Sequence, residues 1–249
     1  MPSGCSALRS RLADVSGFMK PQSKRQHLKQ LMSAKNEWCR SLTSEERKLG
    51  FLGWHERGYL PHCDFPDLVQ LVTFRLTDSM PATRRGEWEH LLKIEDARDR
   101  RTKLEEHLDR GVGDCQLRES EFAKSVEDAL LGFHKDRYEI LAWCVMANHV
   151  HVLCNVLRTP LWKTIQSWKI PTTSQTKHLR FGAKSFWQRE YWDTFMRNED
   201  QERKAIKYIE ANPVKGKLCR TPESWPFSSA RYRDRFGSLN LPEKVTYAR

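Results

Sequence analysis

R-Y-E-I-L-A-W-C-V, Arg137 to Val145, a break at Met146 to Asn148, then H-V-H-V-L-C-N-V, His149 to Val156, is the stretch from which the rest can be read. Both runs are rich in β-branched and aromatic residues, and a short polar break separates them, which predicts a β-hairpin. Side chains alternate along a strand, so His149 and His151 present two imidazoles on one face while Val150 and Val152 take the other. Two neutral imidazoles form half of a divalent-ion site and need a further donor from elsewhere. Two half-buried histidines bonded to backbone carbonyls would give the same pattern.

The elements around the hairpin point to an α+β chain. L-V-Q-L-V-T-F-R-L, Leu68 to Leu76, reads as a buried strand between Pro66 and Pro81. Gly50 to His62 is aromatic, broken by glycine, and reads as a loop. Leucines at three-to-four spacing predict a charged amphipathic helix within Arg84–Arg110, followed by another over Ser120–His134. Leu161–Lys169 is helical, with Pro171 expected to interrupt it. Asn198 with Gln201 resembles a capping pair; Ala205, Ile206 and Ile209 form the stripe, and Pro213 should stop that helix at Asn212. The order suggests a basic extension over 1–50, partly helical or disordered, a folded domain over 51–232 and a basic tail over 233–249.

Charge narrows the partners. The 249 residues hold 43 Lys+Arg against 32 Asp+Glu, a net +11, which suits a phosphate polyanion. No apolar run approaches a membrane span, and Met1 to Arg11 has no apolar leader core. Seven cysteines without a C-x-x-C pair suit a reducing compartment, hence a cytoplasmic, nucleoid-associated protein.

Three further segments stand out. F-W-Q-R-E-Y-W-D-T-F-M-R-N-E-D, Phe186 to Asp200, interleaves aromatics with Arg189 and Arg197, as a single-stranded nucleic-acid site does and as an aromatic core does. Y-I-E-A-N-P-V-K-G-K-L, Tyr208 to Leu218, and W-P-F-S-S-A-R-Y, Trp225 to Tyr232, read by composition as a helix end and a turn.

M-A-N-H-V-H-V-L, F-W-Q-R-E-Y-W-D, Y-I-E-A-N-P-V-K-G-K-L and W-P-F-S-S-A, in that order, resemble the REP-associated tyrosine transposases, relatives of the single-strand insertion-sequence transposases within the HUH endonucleases. The resemblance runs from about Gly50 to Tyr232. It implies a ferredoxin-like antiparallel sheet with helices on one face. It implies a metal-dependent endonuclease and strand transferase acting on single-stranded DNA, with Mg²⁺ or Mn²⁺ on His149 and His151. Tyr191 matches the position after W-Q-R-x and is the implied nucleophile, forming a 5′-phosphotyrosine link. Asp193, Glu199 and Asp200 are nearby candidates for a further ligand. The implied partner is DNA with imperfect palindromes that fold into hairpins. Lys169, Arg189, Arg197 and Lys215 are candidate phosphate contacts, and Trp187 or Trp192 a stacking platform. Ala147 stands where proline is usual before N-H-V-H, and W-K-I-P-T-T, Trp168 to Thr173, departs from the common pattern. Monomer and homodimer are both compatible with the resemblance, as are a non-catalytic binder and a hydrolytic metal-dependent nuclease.

Overall fold

The computed structural model describes residues 40–56, 61–80, 90–91, 94, 97–175 and 185–241. The N-terminal extension before residue 40, the Trp88 portion of the charged helix and the last eight residues lie outside the described residues.

A short helix, α1 (Ser44–Leu49), opens the described chain with a Thr43–Glu46 capping box. Two strands, β1 (Gly53–Glu56) and β2 (Pro61–Asp64), pair antiparallel where a loop was expected. They are too short and too polar for their alternation to announce them. The central sheet is antiparallel, in the order β4 (Tyr138–Val145), β5 (His149–Val156), β3 (Leu68–Arg75), β6 (Trp192–Phe195). The predicted strand and hairpin are therefore both present and lie side by side.

Alternation divides the sheet into two faces. Val72, Phe74, Val150, Val152 and Cys154 join one cluster with Phe122, Val126 and Leu130 of α3 (Ser120–Leu131) and Ile165 and Trp168 of α4 (Leu161–Gln175). Leu71, Cys144 and Leu153 face the other way, against Ala205 and Ile209 of α5 (Glu199–Lys215). The α+β antiparallel architecture is as expected, but α5 covers the second face instead of joining α3 and α4. Burial explains this: the second face of β3 and β5 carries Leu71 and Leu153 as well as polar residues, and leaving it uncovered would put those leucines in water. A bulge between Ile140 and Ala142 shifts the register of β4 and brings Ala142 to the α5 side.

Neither proline ends its helix. Helix α4 runs through Pro171 because Trp168 and Thr172, both fully buried, hold the turn on either side. Helix α5 runs through Pro213 to Lys215, and Asn198 caps its start by accepting from Gln201 N–H at 3.0 Å. Of the charged helix, α2 (Ala97–Asp109) is described, and it buries Leu104 and Leu108.

The segment Trp225–Arg233 covers the outer edge of β4. Trp225 Nε1 donates to Val145 O at 2.9 Å, Val145 N–H to Phe227 O at 2.9 Å, Trp143 N–H to Ser229 Oγ at 3.1 Å and Arg233 to Leu141 O at 2.7 Å. W-P-F-S-S-A-R-Y thus has a structural task, satisfying an edge strand that would otherwise be open to other chains. Among the described residues, no helix is long and apolar enough to cross a membrane.

Candidate active site

His149 and His151 lie on the α5 face of β5, opposite Arg75 and Thr73 of β3. Their Nε2 atoms are 3.0 Å apart, and both rings are 1% exposed. Each Nδ1 is held from behind. Asn148 donates through Nδ2 to Val112 O at 2.9 Å, which turns its Oδ1 to accept from His149 Nδ1 at 2.7 Å. This leaves a lone pair on His149 Nε2. Thr73 Oγ1 lies 2.8 Å from His151 Nδ1 and can do the same for the second ring. Burial holds His149 neutral, its pKa lowered to about 3. Two neutral imidazoles fixed by outer partners, with Nε2 atoms converging, are the donor arrangement a divalent cation takes.

Among the described residues, no group of three or more His, Cys, Asp and Glu side chains has metal-holding geometry. Asn212 stands one turn beyond Tyr208 on α5. It is buried at 1% exposure, its Nδ2 donates to Tyr208 O at 3.2 Å, and its Oδ1 has no hydrogen-bond partner among the described residues. Asp109, the last residue of α2, brings Oδ1 to 3.8 Å from His149 Nε2. Burial and the neighbouring Glu105 raise its pKa to about 6, against the pull of Lys215.

Tyr208 of α5 meets His151 directly. Its ring lies edge to face with His151, centroids 5.4 Å apart, and Lys215 Nζ sits 4.6 Å from its ring centre. Tyr208, Asn212 and Lys215 are spaced i, i+4, i+7, which places them on one face of the helix.

Tyr191 is elsewhere. It is 2% exposed and belongs to the core cluster of Val72, Phe74 and Trp168, on the α3/α4 face. Its ring is 4.5 Å from His62, and Lys169 Nζ is 6.0 Å from its centre. Asp193 follows the same parity: it pairs with Val72, bonds His62 Nδ1 and accepts from Cys63 N–H at 3.2 Å. The sheet thus stands between Tyr191 and the histidine pair, and between Asp193 and that pair. Glu199 and Asp200 sit exposed at the start of α5, paired with Arg203.

The remaining candidates separate as well. Trp187 is 4% exposed, and its Nε1 donates to Lys169 O at 3.2 Å, so it is a core residue and presents no stacking surface. Lys169 donates to Gln188 O at 2.9 Å on the α4 side. Arg197 bonds Gln201 beside the N-terminus of α5, and Arg189 is exposed. Of the proposed phosphate contacts, Lys215 lies against Tyr208. Sequence reasoning missed Tyr208, Asn212, Asp109 and the outer partners Asn148 and Thr73. The i, i+4, i+7 spacing of Tyr208, Asn212 and Lys215 was the one available signal.

Residues 116–212 match the family model described as "Transposase IS200 like". That stretch contains His149, His151, Tyr208 and Asn212. Over those residues the chain is similar to the IS200-like transposases. The REP-associated tyrosine transposase of Escherichia coli (strain K12) is 30% identical over 107 residues, covering 41% of this chain and 60% of that protein. The chain thus matches about three fifths of that relative's length. A solved REP-associated tyrosine transposase bound to a REP hairpin aligns over 78% of this chain and 94% of that one, with 20% identity and a TM-score of 0.47. Asp109 and Lys215 lie outside the IS200-like stretch.

Proposed function

We propose that the chain is a transposase-type enzyme that cleaves and rejoins single-stranded, hairpin-forming DNA, with Tyr208 as its nucleophile. The contact between Tyr208 and His151 carries this reading, because it puts a phenol beside the converging imidazoles. The IS200-like stretch and the relatedness to REP-associated tyrosine transposases support the reaction class, and the net +11 suits the substrate.

Tyr208 Oη attacks the phosphorus in line, forming the P–Oη bond as the P–O3′ bond breaks. The phenolic proton passes to solvent and the leaving 3′ oxygen takes one up. The products are a 5′-phosphotyrosyl link and a 3′-hydroxyl; attack by a 3′-hydroxyl on that link reverses the step without ATP. His149, His151 and Asn212 would hold Mg²⁺ or Mn²⁺, which supplies charge neutralisation at the scissile phosphate. Asn148 and Thr73 keep the two rings turned so that both Nε2 lone pairs point inward.

The test is covalent trapping with single-stranded hairpin oligonucleotides from the flanks of the gene, with Mn²⁺. Wild type and Tyr191→Phe should give a metal-dependent protein–DNA band on a denaturing gel, and Tyr208→Phe should give none. Cleavage without an adduct that survives Tyr208→Phe would instead indicate water as the nucleophile.

A further inference from the structure

Lys215 is the last residue of α5, two turns beyond Tyr208 and nearly on the same azimuth. Side chains on a helix lean toward its N-terminus, so the Lys215 stem runs back past Asn212. Its Nζ ends 4.6 Å from the Tyr208 ring centre. The ammonium also acts on Asp109, whose carboxylate is 3.8 Å from His149 Nε2. The cation therefore sits over the Tyr208 ring at the exposed end of α5, on the side from which it acts on the carboxylate beside His149.

We infer that Lys215 is a positioning residue of the strand-transfer reaction, one that holds the Tyr208 ring and the scissile phosphate against each other. This rests on the assignment of Tyr208 as nucleophile. An oxyanion entering the space between the histidines and Tyr208 would meet the ammonium together with the phenol. In-line displacement spreads charge over the non-bridging oxygens, and a fixed cation there stabilises the transition state more than the bound ground state. A surface lysine that only touched backbone phosphates would tighten binding without changing the rate of the bound complex.

Single-turnover adduct formation with the full chain, Mn²⁺ and a hairpin oligonucleotide from the gene's own flanks separates the two. Lys215→Met should lower the saturating rate about tenfold or more while the half-saturating DNA concentration stays within about twofold. Lys215→Arg should recover most of that rate. A Lys215→Met chain with an unchanged saturating rate and weaker half-saturation would overturn the inference and leave Lys215 a plain DNA contact. An unchanged rate with unchanged binding would overturn it too. Tyr208→Phe, run alongside, tests the underlying assignment separately: an adduct formed by that variant would remove the nucleophile itself, whatever Lys215 does.

Discussion

His151 and Tyr208 meet edge to face across the gap between β5 and α5, with ring centroids 5.4 Å apart and planes at 76°. The contact depends on two separate accidents of register. His151 must fall on the α5 side of the sheet, opposite Thr73, and Tyr208 must fall on the inner face of α5, one residue before the buried Ile209.

The outer partners of the histidines should tune metal affinity without touching the metal. Asn148→Ala frees His149 to adopt the other tautomer, and Thr73→Val removes the hydroxyl behind His151. Each should weaken Mn²⁺ binding by about tenfold or more, measured by electron paramagnetic resonance titration, with the fold retained by circular dichroism. Unchanged Mn²⁺ affinity in both would show that the imidazoles do not hold the ion.

Trp187 should matter to stability and not to DNA recognition. Its indole packs 5.0 Å from Phe74 and is 4% exposed. Trp187→Ala should cost about 3–5 kcal/mol in denaturant unfolding. The folded fraction should bind hairpin DNA as wild type does. A loss of affinity with little loss of stability would restore the stacking role.

His62 gives the fold a pH dependence. Burial opposes its charge, but Asp193 and Glu190 outweigh that and raise its pKa to about 9. The folded value lies above the ordinary imidazole value of about 6.5, so the charged ring stabilises the fold fully below about pH 6.5. That contribution is lost as pH rises through about 9. Asp193→Asn should lower stability at pH 7 and flatten the alkaline decline, as followed by urea midpoints from pH 6 to 10.

Removing Trp225–Arg249 should expose the edge of β4 and lead to self-association, visible by light scattering after gel filtration. A truncated chain that stays as dispersed as the full one would deny the segment its covering role.

The sheet and the histidine pair were legible because period-2 alternation is local: Leu68–Leu76 and Arg137–Val156 carry it in their own residues. The N-terminus of α5 was legible for the same reason, through Asn198 and Gln201. The place of the two motif tyrosines relative to the histidines was not. Tyr191 sits beside aromatic and basic residues that suit single-stranded DNA, yet its side of the sheet is set by the pairing of β6 with β3, and no motif encodes that register. Tyr208 reads as one more residue in an ordinary helix until α5 is laid against the histidine face. The prolines misled for a related reason: propensity marks Pro171 and Pro213 as stops, and buried neighbours on the same helices override it.

The central claim is that the reacting tyrosine is on α5, and peptide mapping of the trapped protein–DNA adduct tests it most directly. Trypsin cuts after Arg189, Arg197, Lys207 and Lys215, so Tyr191 and Tyr208 fall in separate peptides, Glu190–Arg197 and Tyr208–Lys215. After nuclease digestion, the account predicts the nucleotide mass on Tyr208–Lys215. The same mass on Glu190–Arg197 would contradict it.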